Sequence, residues 1–455
     1  MLILYLSPHR TGSNQSYVRS EELLNPKDIL LRLNDTSWDK EFGGYFAEVN
    51  DTGFVISDRK AVGDYHTLAI AYLDLAMYLN DTQYQKHAVL MEQLLDRFKL
   101  KTEGYTLWLT RSWQVQTNPL IGFDSNADIV SLHTRLFDVT GDPIYINRAL
   151  NSVSLIEMYH HDSIHGGFYM NLDGITLVPE SDYRRVTGYY ARYTEALLNL
   201  YHITNNESYL NRGCEILNET INNAWNEEIE YFHPRLFDTN EPDPTFTEFQ
   251  LHEQIAIART LLHYSEFRNQ NFYQSYALSI INLIFEKGRT EDGLFIHGFY
   301  PNDTPHNSKL YVSRQCHVYQ TILDMVELNI TLSDEQSNTL ENSLPVLESF
   351  LGQNSKLFLR TASYPRIVPW VIAVTVSTII RLNKYMNMTT LPTTTATLTT
   401  TLSSTLPTTT TPESMTTTST SSSAPPTVTP GFTLISMITV ICIVTILFRH
   451  KRKWN

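Results

Sequence analysis

Ionisable residues recur along this chain at nearly even intervals. They are Asp64 with His66, Asp124 with Asp128, Tyr189 with Arg192, His252 with Glu253, and His317. Acids, neutral bases and a fixed cation at matching positions suit proton transfer, where one group removes a proton and another returns it. Carboxylates facing each other in pairs would suit hydrolysis instead, and the sequence does not give the separation that decides between the two. A plainer reading applies to each residue alone: it caps the start of a helix or faces water.

The interval belongs to an internal repeat. "GGYF" begins at Gly43, "GYTL" at Gly104, "GGFY" at Gly166, "EYFH" at Glu230, "GLFI" at Gly293 and "SKLF" at Ser355, so the spacings are 61, 62, 64, 63 and 62. A second marker, "NDTQY", "GDPIY", "NNESY" and "NQNFY", places Tyr84, Tyr145, Tyr209 and Tyr273 61, 64 and 64 apart. Between markers the apolar residues follow helical spacing, with turn residues in the middle. The expected hairpins are 64–79 with 83–98, 126–139 with 143–158, 189–203 with 208–224, 251–267 with 272–285, and 316–328 with 334–350. One helix over 17–33 precedes them, and one over 367–385 follows.

If the first and last helices pair, six hairpins close a ring. The expected fold is therefore all-α, an (α/α)6 barrel over 17–385, with the first helix of each hairpin inside. An open α-solenoid is the alternative. In a closed ring the first turns of the inner helices face little besides a central funnel, so the ionisable set reads as a pocket. Asp64, His66, Asp128, Arg192, His252, Glu253 and His317 are its candidate catalytic groups. Asp124 and Tyr189 are candidate binding groups.

This plan resembles the six-hairpin glycosidase superfamily, and within it the N-acylglucosamine 2-epimerase family. The resemblance rests on "WDKEFGGYFAEVNDTG" at 38–53 and "HHDSIHGGFYMNLDG" at 160–174, and on "RKAVGDYHTLAIAYLDLAMYLNDTQYQKHA" and "VTGDPIYINRA". It implies the (α/α)6 barrel and an acid–base reaction on a sugar. Two departures stand out. Where the family's epimerases carry a His-Leu-Leu-Glu-Ala motif, this chain has Asp128 at the histidine position and Ser131 at the glutamate position. His252 and His317 match the family's histidines in adjacent hairpins, whereas the epimerase pair lies two hairpins apart.

Aromatic residues crowd the same corners, and sugar C–H faces stack on rings. Trp108 and Trp113 depart from the repeat pattern and are the candidate ligand-stacking residues. Phe46, Tyr169 and Phe295 recur and suit packing between hairpins. Three histidines in "YHHDSIHGG" suggest a metal, but Asp162 and Gly166-Gly167 belong to the repeat. Only His160 and His165 are private to this copy, too few for a metal site. No phosphate-binding glycine loop, Cys-x-x-Cys, Gly-x-Ser-x-Gly or His-Glu-x-x-His occurs. Neither a metal nor another cofactor is expected.

The formal net charge of -14 argues against nucleic acid as a partner. Of three cysteines, Cys442 lies in the C-terminal apolar run, and Cys214 with Cys316 make no disulfide framework. Residues 386–430 are almost wholly Thr, Ser and Pro, a composition that stays extended and often carries O-glycans. Residues 431–448 are apolar, about 27 Å long as a helix, enough to cross a bilayer core. The basic tail 449–455 should stay cytoplasmic. The barrel would then be displayed outside the cell on a stalk, consistent with nine Asn-X-Ser/Thr sequons. The segment 1–16 has only a short apolar run for a leader, and a tail-anchored protein facing the cytoplasm is the alternative topology. The combined expectation is a membrane-anchored, carbohydrate-active protein. It would be a sugar epimerase, isomerase or glycosidase-like enzyme, or else a non-catalytic glycan-binding or adhesion protein on the same barrel.

Overall fold

The computed structural model describes residues 24–180, 185–268, 270–302, 304–305, 309–361 and 365–390. The expected stalk beyond Thr390, the membrane helix and the basic tail lie outside them, as do 1–16 and the start of the helix expected from residue 17; residues 386–390, expected to begin the stalk, instead continue the last helix. No helix of the described residues is long and apolar enough to cross a membrane.

Thirteen helices are described: α1 (Pro26–Ser37), α2 (Val62–Leu79), α3 (Thr82–Leu95), α4 (Phe123–Thr140), α5 (Pro143–Leu155), α6 (Thr187–Thr204), α7 (Glu207–Ala224), α8 (Leu251–Ser265), α9 (Gln270–Lys287), α10 (Val312–Glu327), α11 (Asp334–Glu341), α12 (Ser343–Glu348) and α13 (Pro369–Thr390). The inner ring runs α2, α4, α6, α8, α10, α13 and back to α2, each packed on the next. The outer helices α3, α5, α7 and α9 pack on their own hairpin partners, and α1 packs on α13, so the two ends of the domain form the sixth hairpin. The ring is closed and the open solenoid is excluded.

The repeat markers have physical causes. Asn80, Gly141 and Asn205 end inner helices in the left-handed conformation, at φ 51°, 68° and 52°, which suits Gly and Asn. Asp81, Asp142 and Asn206 follow at once and accept the backbone N–H two residues on, starting the outer helix. Pro143 then occupies the first turn of α5, where its missing N–H costs nothing. The outer helix of the fifth hairpin, expected unbroken over 334–350, is two helices meeting at Asn342. Pro345 lacks the N–H that would bond Glu341, and its ring crowds that carbonyl.

At five corners, the inner helix holds the loop before it through one side chain in its first turn. The backbone N–H groups of Tyr45, Tyr105, Phe168, Phe232 and Phe295 donate to Tyr65, Asn126, Tyr190, Gln254 and Gln315. The separations are 20, 21, 22, 22 and 20 residues. Two corners add a buried ion pair. Lys60 Nζ lies 3.1 Å from Asp39, and Arg185 Nη2 lies 2.6 Å from Asp162. Gly44 and Gly167 sit at φ +72° and +69°, and a Cβ on either would stand 2.5–2.6 Å from the tyrosine hydroxyl that anchors its corner. Phe46 and Phe295 pack within the corners. Short antiparallel ribbons, such as Lys60–Ala61 with Trp108–Leu109, link one corner to the next.

Candidate active site

None of the inner helices α2, α4, α6, α8 and α10 has a side-chain cap at its own start. Each instead follows a short extended segment of the preceding corner. The polar residues of their first two turns are therefore not self-caps. A cavity of about 1260 Å³ fills the bore, and His66, Asp128, Arg192, His252 and His317 all line it. Five of the seven candidate catalytic residues thus converge.

Their electrostatics separate two groups. Arg192 Nη1 donates to Asp128 Oδ2 at 2.7 Å, and His66 Nε2 stands 3.8 Å from the same oxygen. The Asp128 carboxylate raises the Arg192 pKa, so this guanidinium stays charged. Burial pushes His66 below its ordinary pKa, opposed by Asp128 and reinforced by Arg192. Burial also holds His252 and His317 well below the usual histidine range, and the Arg314 guanidinium adds to it in both. All three imidazoles are neutral at neutral pH and able to accept a proton. His66 lies on α2, directly across the ring of six from α8, which carries His252.

The other candidates sit elsewhere. Asp64 is fully buried, and its Oδ1 accepts the N–H of Trp370 at 3.1 Å, capping α13 rather than its own helix. Its Oδ2 has no partner, and burial raises its pKa well above the carboxylate range. Glu253 is held by Arg235 at 2.8 and 2.9 Å, although burial still raises its pKa. Asp124 lies within 3.4 Å of Ser125 Oγ, with its pKa raised by burial. Tyr189 has the Arg192 guanidinium 5.8 Å from its ring centre and a hydroxyl pushed up to about 12 by burial.

Asp64 and Trp108 line a second cavity of about 700 Å³, which shares Trp370 with the bore. Trp108 is 37% exposed, with the Arg59 guanidinium 4.9 Å over its ring. Trp113 lies in neither cavity lining. Its Nε1 donates to Phe42 O at 2.9 Å, and its ring packs on Tyr65 and Phe98 in the first corner. Its backbone takes φ 66°, so its departure from the repeat pattern is a turn that tucks the ring under Gly44.

The histidine-rich corner brings no metal cage together. His160 is buried with Nδ1 2.9 Å from Tyr169 O, and His165 Nδ1 lies 3.1 Å from Asp162. Among the described residues no group of three or more His, Cys, Asp or Glu is placed to hold a metal ion. Cys214 and Cys316 are free thiols.

Deeper in the bore lies a layer that the sequence reading passed over. Asp324 accepts from Arg259 at 2.6 Å and pairs with His263 at 3.5 Å and Arg381 at 2.8 Å. Glu195 pairs with His263 at 3.0 Å. Those carboxylates raise His263 to about 10 against the opposing effect of burial. The cluster ties α6, α8, α10 and α13 together across the bore. Its signal was helical spacing: Glu195 follows Arg192 by one turn, and His263 follows Arg259 by one turn on the stripe that starts at His252.

No family model matches the chain, and no curated protein matches it. Solved structures do. A D-mannose isomerase superposes with a TM-score of 0.68 at 15% identity, over 83% of this chain and 100% of the other. Cellobiose 2-epimerase from Bacillus thermoamylovorans superposes with a TM-score of 0.68 at 13% identity, over 80% and 99%. A family 76 α-mannanase from Bacteroides thetaiotaomicron follows with 0.63 at 12% identity, over 81% and 97%. Identities this low speak for the fold. The chain shares the (α/α)6-barrel fold of these structures.

Proposed function

We propose that the chain is a carbohydrate-active enzyme whose bore performs acid–base chemistry at the carbon beside a sugar carbonyl, as a sugar epimerase or isomerase. One observation carries this reading. Every carboxylate lining the bore is engaged by a cation: Asp74 by Arg135, Asp128 by Arg192, Glu195 by His263 and Glu327 by Arg381. His66, His252 and His317 are left as neutral imidazoles. A glycosidase needs one carboxylic acid and one carboxylate free to act on the bond. An epimerase needs two bases of suitable pKa on opposite faces of its substrate.

In this reading His252 or His317 removes the C2 proton of the open-chain aldose. His66, acting from the protonated form that the nearby Asp128 carboxylate favours, delivers its proton to the other face to give the epimer, and the abstracting histidine releases its own proton to solvent; return of the abstracted proton to C1 gives the ketose. Arg192 supplies positive charge beside the enediolate that forms between these steps. Its own pairing with Asp128 keeps it in place. The fold neighbours include a mannose isomerase and a cellobiose epimerase, which supports the class without choosing the sugar.

The test is proton NMR of aldoses and disaccharides incubated with the protein in D2O. Loss of the C2 proton signal with appearance of an epimer or ketose is expected. Release of new reducing ends without exchange at C2 would identify a glycosidase instead. Binding without either change would identify a glycan-binding protein. We further propose that residues 431–448 anchor the barrel to a membrane with the sugar-binding domain outside. Labelling of intact cells by a membrane-impermeant reagent checks this, and labelling only after permeabilisation would refute it.

A further inference from the structure

Beside His252 and His317 stands a cation that the proposed chemistry does not use. Arg314 occupies the first turn of α10, one turn before His317, which lines the cavity, and its guanidinium acts electrostatically on both His317 and His252. It is the counterpart of Asp64, Tyr189 and Glu253 in the repeat. Those residues are an acid whose pKa burial raises, a phenol and a carboxylate already engaged by Arg235. Arg314 is half-buried and forms no ion pair with any carboxylate among the described residues. Its Nε points at His297 Nδ1 across 3.3 Å, and its guanidinium lies 5.5 Å from the Tyr311 ring centre.

The surroundings deepen the asymmetry. Arg360 lies on the same Tyr311 ring at 5.6 Å. The His297 ring stacks on His252 at 5.7 Å with 15° between the planes, and His252 lines the cavity. His252 Nδ1 is buried without a partner. This sector therefore gathers one unneutralised guanidinium and three imidazoles, counting His317. The nearest carboxylate that acts on it, Glu253, is committed to Arg235. A desolvated cation without a counterion is costly, and the guanidiniums of Arg135, Arg192, Arg259 and Arg381 in this bore each have an acid against them. The guanidinium's pKa falls to about 10, chiefly by burial, as expected for a cation awaiting an anion.

We propose that Arg314, with His297 and His252 beside it, binds an anionic substituent of the substrate, so that the enzyme's sugar is acidic. A guanidinium fork matches a carboxylate, sulfate or phosphate oxyanion through paired hydrogen bonds. The group would sit one helical turn before His317, at the edge of the present cavity lining. It would therefore hang from the sugar carbon remote from the reacting C2, or from the neighbouring sugar of a disaccharide. This rests on the proposed reading of the bore as a sugar site.

The experiment is calorimetric titration of the full chain with glucuronate, glucose 6-phosphate, glucose 6-sulfate and glucose, at low and moderate salt. At least one acidic sugar should bind tenfold or more tighter than glucose. Arg314→Gln should erase that preference while leaving glucose binding and the melting temperature unchanged, and Arg314→Lys should recover part of it. Which anion binds best identifies the substituent. Glucose binding as tightly as every acidic sugar, or an acid preference that survives Arg314→Gln, would overturn the proposal. Acidic sugars bound through Arg314 without exchange at C2 would leave it standing and overturn the epimerase reading. Neutral sugars turned over equally by the protein and by Arg314→Gln would do the reverse.

Discussion

The imidazole of His263 should make the barrel sensitive to alkali well before its lysines titrate. In the folded bore it lies 3.0 Å from Glu195 and 3.5 Å from Asp324, and these raise its pKa from 6.5 to about 10. A raised folded pKa stabilises the fold fully below the unfolded value and ceases to do so as pH climbs through the folded value. Between about pH 6.5 and pH 10 the folded state holds one proton more than the unfolded state at this site. Stability should then fall by about 1.4 kcal/mol per pH unit. Over the whole window that is about 5 kcal/mol at most, a third or more of the stability of an ordinary domain. Neighbouring cations Arg259 and Arg381 soften the loss, because Asp324 keeps both. A fall of about 3–5 kcal/mol is therefore expected. The assay is urea unfolding followed by circular dichroism at half-unit steps from pH 6 to pH 10, on the protein and on His263→Gln. Titration of other groups is common to both, so the difference isolates His263. The variant should be less stable at pH 6 and converge on the parent near pH 10. Parallel curves for the two would refute the account of the deep bore.

Three other outcomes follow from particular contacts. Asp162→Asn strands the fully buried Arg185 guanidinium and should cost about 3–5 kcal/mol by urea unfolding. Because hydrogen bonds from the Ile164 N–H and from the His165 side chain and N–H outweigh burial and hold Asp162 well below the usual carboxylate range, the parent should lose this advantage as pH falls below about 4. Gly167→Ala places a Cβ 2.6 Å from Arg185 Nη1 and Tyr190 Oη at φ +69°, so a loss of about 2–4 kcal/mol is expected in the same assay. Asp128→Asn removes the carboxylate that raises His66, the proton donor, so the alkaline limb of the epimerisation rate against pH should move to lower pH.

The hairpins were legible because their boundaries are local chemistry. An Asn or Gly that takes positive φ, followed at once by an Asp or Asn that caps the next helix, is visible in "LNDTQ" and "TGDPI". Ring closure was legible from counting, since the unpaired first and last helices had only each other. His66, Asp128, Arg192, His252 and His317 were found because one level of a regular barrel maps to one phase of the repeat. Partners distant in sequence were not visible. Nothing in the sequence near Asp64 announces that it caps a helix 306 residues later. Glu253 and Arg235 read as independent residues until a corner loop brings them together. Trp113 looked ligand-facing because it departs from the repeat, yet its turn buries the ring against Tyr65. Arg314 was passed over because arginine is not the usual proton carrier. Only the absence of a carboxylate beside it makes it conspicuous.

The most direct test of the central claim is the rate of C2 deuterium exchange in His66→Asn, His252→Asn and His317→Asn. If imidazoles on opposite faces of the bore carry the proton, the His66 variant and at least one of the other two should slow exchange by about 10²–10⁴-fold without a change in melting temperature. Exchange at the parent rate in all three would contradict it.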